Sequence, residues 1–226
     1  MYIVAIDTST EVLSIGIREN DRTFLFAREG DLKHAETLMP SILQLSHLAG
    51  RQLLAPDLVV CTRGPGSFTG LRIGMATAKG IAAGSGCPIV SVSTLDAFAW
   101  GHTDFDGAVV PGIDARKGRF YTAVFSSGSR MCKDLDAEPE SIARRLEGFG
   151  RILLTGTDAS ALGVALAPYL NGDQVLRIDA RSRTGCAASL LELGTAQWNA
   201  SGPDADGQGP TYIRESDAEL GLKVPG

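Results

Sequence analysis

Two aspartates and one glycine-rich turn are the residues of this chain best suited to chemistry. Asp7 closes the apolar run that begins at Tyr2 and is followed by the hydroxyls of Thr8, Ser9 and Thr10. Asp114 closes a second such run, from Ala108, and is followed by Ala115, Arg116 and Lys117. Between them stands Gly64-Pro-Gly-Ser-Phe-Thr-Gly-Leu-Arg-Ile-Gly74. Carboxylates at strand ends can hold a metal-bound nucleotide, and the N–H groups of a glycine turn at a helix start can receive an anion. Such a set, with Asp7, Ser67 and Asp114 around metal-bound ATP, would suit phosphoryl transfer. The same glycines can instead make a plain, tight strand-to-helix corner. No Gly-Lys-Ser/Thr closes the turn and its spacing is not that of a dinucleotide fingerprint.

These residues must be positioned by strands and helices that the pattern supplies. Residues 2–7 read as a buried strand, 12–18 alternate as a second, and 23–28 form a third, giving a hairpin that starts at an acidic strand end. The run Leu58-Val-Val-Cys61 precedes the glycine turn, Ser67 or Thr69 caps the helix that follows, and small residues continue to Gly84. Residues 108–114 and 119–125 repeat the strand–Asp–hairpin design of the N-terminus. The rest reads as helix 141–146, strand 151–155, helix 159–169, strand 175–178 and helix 185–200. This duplication predicts an α/β fold of the actin-like ATPase (ribonuclease H-like) class, with lobes at 1–104 and 105–204, the second reduced, and a tail from about 205 to 226 packing back on the first. In a working nucleotide site of that class a glycine follows the second aspartate. Here Arg116 either salt-bridges within the fold or occupies phosphate space, so strong ATP binding is expected to be lost.

Helix 34–49 carries an apolar arc of about 220°, wider than the ~100° stripe of an ordinary surface helix. The excess implies packing on both sides or a partner protein. In the glycine-loop helix, small residues four apart allow another helix to approach closely. A zinc helix would need a second histidine one turn after His34, and Leu38 stands there, so no metal is expected.

Bulk properties exclude several classes. With 21 basic and 26 acidic residues, net charge is −5, so binding to nucleic acid by charge alone is not expected, although Arg63, Arg72 and Lys79 lie in a stretch without acids. The four cysteines form no CxxC pair and read as free thiols of a reducing compartment. No run approaches the roughly eighteen apolar residues of a membrane span, and the first residues lack a signal-peptide pattern, so a cytoplasmic protein without membrane contact is expected.

Ile6-Asp-Thr-Ser9, His34-Ala-Glu-Thr-Leu-Met-Pro40, the glycine segment with Ala78-Lys79, Ser93-Thr-Leu95, Ile113-Asp-Ala-Arg116 and Pro210-Thr-Tyr-Ile-Arg214 together resemble the TsaB (YeaZ) family. The motifs run in order along almost the whole chain. The resemblance implies a part in bacterial tRNA threonylcarbamoyladenosine (t6A) modification. It implies partnership with a TsaD-like catalytic paralogue and a TsaE-like ATPase, in a complex that uses ATP and Mg and engages tRNA. It further implies a non-catalytic role, with no cofactor tightly bound by this chain alone; because exposed apolar helices tend to pair with themselves, a homodimer is expected when no partner is present. The nucleotide cleft would be vestigial, at Asp7, Thr8, Ser9, Gly64, Gly66, Ser67, Asp114 and Arg116. The partner surface would comprise His34, Leu38, Ile42, Leu45, Arg72, Ile73, Met75, Ala76 and Lys79. A lone actin-like nucleotidase or kinase is the alternative, and a metal-dependent glycoprotease-like peptidase a weaker one.

Overall fold

Strand β1 (Tyr2–Asp7) is buried at every position because helices cover both of its faces. The structure, a computed structural model, describes residues 1–30, 33–51 and 55–213. After β1 come β2 (Val12–Glu19), β3 (Arg22–Glu29), α1 (His34–Leu48), β4 (Leu58–Gly64), α2 (Phe68–Ser85), β5 (Ile89–Ser93) and α3 (Thr94–Trp100). The strands form a sheet in the order β3-β2-β1-β4-β5, with β1 antiparallel to β2 and parallel to β4. The second half supplies β6 (Ala108–Asp114), β7 (Phe120–Thr122), β8 (Phe125–Ser126), β9 (Ser129–Arg130), β10 (Leu135–Ala137), α4 (Pro139–Arg145), β11 (Arg151–Thr155), α5 (Ala159–Leu166), β12 (Val175–Ile178) and α6 (Ala187–Ser201). Its sheet runs β10-β7-β6-β11-β12, and β6 stands where β1 stands in the first. The strand–Asp–hairpin duplication is therefore real, and the fold is actin-like.

The layers follow from the period of two along β1. Tyr2, Val4 and Ile6 face outward into a core shared with Leu38, Ile42 and Leu45 of α1 and Met75 and Ala78 of α2. Ile3 and Ala5 face inward into a core shared with Leu95 and Phe98 of α3, Leu190 and Leu191 of α6, and Val109 and Leu153 of the second sheet. Helices α4 and α5 cover the far side of that sheet through Ile142 and Leu162. Each fully buried branched side chain contributes ~1.5–3 kcal/mol.

The strand read at 119–125 is broken. Val124 turns away from β6, its N–H meeting the Cys132 sulfur and its C=O accepting from Met131, so β7 and β8 pair with different ends of β6. Helix α6, placed by sequence within the second lobe, lies against the first sheet, with Gly194 over Val60 and Gly16 under Ala187 and Leu191. The tail packs back as far as it is described. The Asp204 N–H donates to the Ile89 carbonyl (2.9 Å) and the Thr211 N–H to the Arg63 carbonyl (2.7 Å). Residues 214–226 lie outside the described residues.

Candidate functional site

The glycine segment is shaped by the first hairpin. Ser67 caps α2 by accepting from the Gly70 N–H (3.3 Å). Its own N–H donates to the Ser9 carbonyl (2.6 Å), and the Thr8 hydroxyl donates to the Gly70 carbonyl (2.7 Å). A Cβ on Gly66 would lie 2.3 Å from the Ser9 oxygen, on Gly70 2.0 Å from the Thr8 carbonyl oxygen, and on Gly74 2.2 Å from the Thr8 hydroxyl. Gly64, at φ +114°, faces Thr211, whose carbonyl oxygen would be 2.5 Å from a Cβ. These glycines let protein approach protein, and the Ser67 N–H, which an anion would seek, is already given to Ser9.

Asp7 is 0% exposed. One carboxylate oxygen accepts from the Ser9 N–H (2.9 Å), the Ser9 hydroxyl (2.6 Å) and the Thr62 hydroxyl (3.1 Å). The other accepts from the Cys186 thiol (3.1 Å), 179 residues along the chain at the start of α6. Four neutral donors thus hold a buried carboxylate, satisfying it without a cation. Its repeat, Asp114, is open to solvent. The Asp114 N–H donates to Asp158 (2.9 Å), and its carboxylate accepts from the Arg116 N–H (2.7 Å) and guanidinium (3.3 Å). Of the two fates open to Arg116, the salt bridge within the fold is the one found; its side chain is 82% exposed.

Between the sheets lies a cleft of about 690 Å³. Ser9, Thr10, Ser67 and Thr69 line one side, Asp114, Arg116, Lys117, Tyr121 and Asp158 the other, and Thr211 and Tyr212 a third. Neither Asp7 nor Thr8 is part of its wall. The residues therefore do not fit a metal–nucleotide held on both aspartates: one of the pair is sealed inside. Among the described residues, no group of three or more His, Cys, Asp or Glu could hold a metal ion. His34 is buried and its Nε2 hydrogen-bonds the Thr10 carbonyl (2.8 Å).

Cysteine reactivity should follow the same burial. Desolvation, reinforced by the Asp7 charge, raises the Cys186 thiol pKa well above its usual value, and desolvation pushes that of Cys61 to about 12. Only thiolates react, so Cys87 and Cys132 should take up a thiol reagent at pH 8 while Cys61 and Cys186 respond only on unfolding. Peptide mapping after brief labelling checks this, and fast labelling of Cys186 would contradict the seal over Asp7.

The outer face of α1 and α2 corrects the sequence-based surface. Leu38 (1% exposed), Ile42 (0%), Leu45 (7%), Met75 (4%) and His34 (4%) are internal, because the sheet and α2 cover more of the α1 arc than a single sheet face would. They cannot meet a partner in the folded chain. Ile73 is half-buried, and Arg72, Ala76 and Lys79 are exposed. Arg28 bonds Thr37 on the β3 side of α1, so Met39 (37% exposed) and Leu43 (42%) lie on the flank toward α2. Arg72 bonds Tyr212 on the far flank of α2, leaving Ile73, Gly80 and Gly84 toward α1. Among the described residues, a Cβ on Gly80 or Gly84 would meet nothing within 4 Å. Met39 and Leu43 lie within the apolar arc of helix 34–49, but which apolar positions face outward depends on where the sheet lies. Cys186 and Asp158 gave no local signal at all.

The family described as TsaD, tRNA N6-adenosine threonylcarbamoyltransferase, matches residues 28–148. The tRNA threonylcarbamoyladenosine biosynthesis protein TsaB of Escherichia coli K12 is 35% identical over 205 residues, which span 86% of this chain and 89% of that protein. The protein of the same name in Bacillus subtilis 168 is 36% identical over 128 residues, 55% of each chain. The solved structure of YeaZ from Pseudomonas aeruginosa superposes with a TM-score of 0.77 at 26% identity, over 94% of this chain and 99% of that one. A duplicated actin-like fold, a glycine segment zipped onto the first hairpin and this extent of likeness lead to one assignment: the chain belongs to the TsaB (YeaZ) family of tRNA threonylcarbamoyladenosine biosynthesis proteins.

Proposed function

We propose that this chain is a non-catalytic subunit of a t6A-forming complex. It docks a TsaD-like catalytic subunit on the outer face of α1 and α2, works with a TsaE-like ATPase, and meets tRNA through the complex. ATP and Mg serve the complex, and this chain holds no cofactor tightly by itself. The observation that carries the reading is the sealed Asp7, whose oxygens serve Ser9, Thr62 and Cys186 rather than the cleft. The docking face is supported by Met39 and Leu43, exposed beside Gly80 and Gly84, where none of the described residues fills the space. Glycine lowers helix stability by about 1 kcal/mol relative to alanine. Two glycines on an open helix face are explained if a second helix packs there. Without a partner, the same face suits a homodimer.

Size-exclusion chromatography with light scattering, on the chain alone and mixed with its organism's TsaD-like protein, tests the reading. The expected result is a self-dimer that converts to a one-to-one heterodimer. Gly80→Leu and Leu43→Glu should each weaken the heterodimer at least ~30-fold, a loss of ~2 kcal/mol typical of an interface hot spot, while both variants stay folded and Gly80→Leu unfolds no earlier than the parent. A chain that ignores the partner, or variants that bind as before, would overturn the docking face. Calorimetry with Mg-ATP should show no saturable binding at micromolar levels; saturable binding would favour the nucleotidase reading instead.

A further inference from the structure

At one end of the cleft a single guanidinium ties three separate segments together. Arg183 lies in the short turn Ser182–Thr184, where the chain leaves the second sheet for α6. Its Nε donates to Glu29 (3.1 Å), and a terminal nitrogen donates to the other oxygen of that carboxylate. The same nitrogen reaches Glu11 (2.7 Å), and the second terminal nitrogen donates to the Thr157 carbonyl (3.3 Å). Glu11 stands between β1 and β2, Glu29 ends β3, and Thr157 lies between β11 and α5. The bonds therefore hold the first lobe at two points and the second at one. Glu11 lines the cleft from the first lobe, and Asp158, next to Thr157, lines it from the second.

This corner differs in kind from the rest of the contact between the lobes. The shared core is apolar and takes in Val109, Leu153, Cys186 and Leu190. At the corner the side chains of Arg183, Glu11 and Glu29 are charged and each about half exposed. Exposed ion pairs are individually weak, so a link of this kind can hold one arrangement and still release it. Both carboxylates also sit one residue from a contact to the start of α1. Thr10, before Glu11, accepts at its carbonyl from Nε2 of His34, the first residue of α1 (2.8 Å). Arg28, before Glu29, donates to the Thr37 hydroxyl (2.9 Å).

We propose that Arg183 is a latch between the lobes: it fixes the opening of the cleft and passes the relative position of the lobes, through Glu11 and Glu29, to the first turn of α1. The planar guanidinium can serve two carboxylates and a carbonyl at once, in fixed directions, which a lysine ammonium on its flexible stem does not reproduce. The effect of the latch on docking rests on the proposed face of α1 and α2. The latch itself is read on the isolated full chain, so it can fail while the docking face stands.

Spin labels on Asp21→Cys and Val164→Cys, exposed sites on the first and second lobes, report the opening by pulsed electron resonance in a Cys87→Ser/Cys132→Ser background. The parent should give one narrow distance distribution. Arg183→Gln should give a longer and broader one, Glu11→Gln/Glu29→Gln the same, and Arg183→Lys a partial return to the parent. On the unlabelled chain, Arg183→Gln should make amides in residues 34–42 exchange hydrogen roughly fivefold faster, the scale of a weak exposed network, with β11 unchanged. Distances that stay as in the parent, a double Gln variant that leaves the lobes in place, or exchange that quickens equally in α1 and β11 would each overturn the proposal.

Discussion

Gly70→Ala is expected to destabilise the protein by about 3 kcal/mol, while Gly80→Ala, in the same helix, should stabilise it by about 1 kcal/mol. Helix propensity favours alanine equally at both positions. At Gly70 the new Cβ would sit 2.0 Å from the Thr8 carbonyl oxygen, a backbone atom that cannot rotate away. Either α2 retreats from the first hairpin or the hairpin deforms, and both disturb the Thr8–Gly70 bond and the seal over Asp7. At Gly80 the added methyl meets none of the described residues within 4 Å. For a chain of this size each kcal/mol moves the melting midpoint by about 2–4 °C, so the two variants should melt on opposite sides of the parent. Denaturant unfolding of the three proteins checks the difference. A Gly70→Ala protein as stable as the parent would mean that the glycine is there for something other than close packing.

Asp7→Ala should cost about 4 kcal/mol and leave little folded protein at 37 °C. The substitution removes the acceptor for the Ser9 N–H, the Ser9 and Thr62 hydroxyls and the Cys186 thiol at once. Asp7→Asn keeps one oxygen and should cost roughly half as much, since its amide then points a donor at the Cys186 donor. The sign discriminates between readings. A carboxylate kept for chemistry is commonly poised at the expense of stability, so its removal is neutral or stabilising. A carboxylate kept for structure is missed by the fold. Urea unfolding of both variants, with Cys186 labelling as a second readout, checks the order parent, Asn, Ala. An Asp7→Ala protein as stable as the parent would return the residue to the nucleotide cleft.

The sequence by itself determined the repeated plan of this protein. The run Tyr2–Asp7 and its copy Ala108–Asp114 are legible because burial on two faces leaves an unbroken apolar run. Ser67 could be read as a candidate cap because capping is a local bond. The break between β7 and β8 was not legible, since it depends on where Val124 finds hydrogen-bond partners in the 131–132 segment. Nor was the outward side of α1: Leu38 and Leu43 are both apolar, and only the position of the sheet and of α2 makes one core and the other surface. The meaning of the glycines divided in the same way. Gly70 and Gly80 look alike in the chain, yet one is filled by Thr8 and the other stands open. Above all, the state of Asp7 was decided by a thiol 179 residues away. Patterns of one or two turns are set by neighbours in sequence; whether a carboxylate faces a cleft or a core is set by chain segments that meet only when both sheets and α6 have packed.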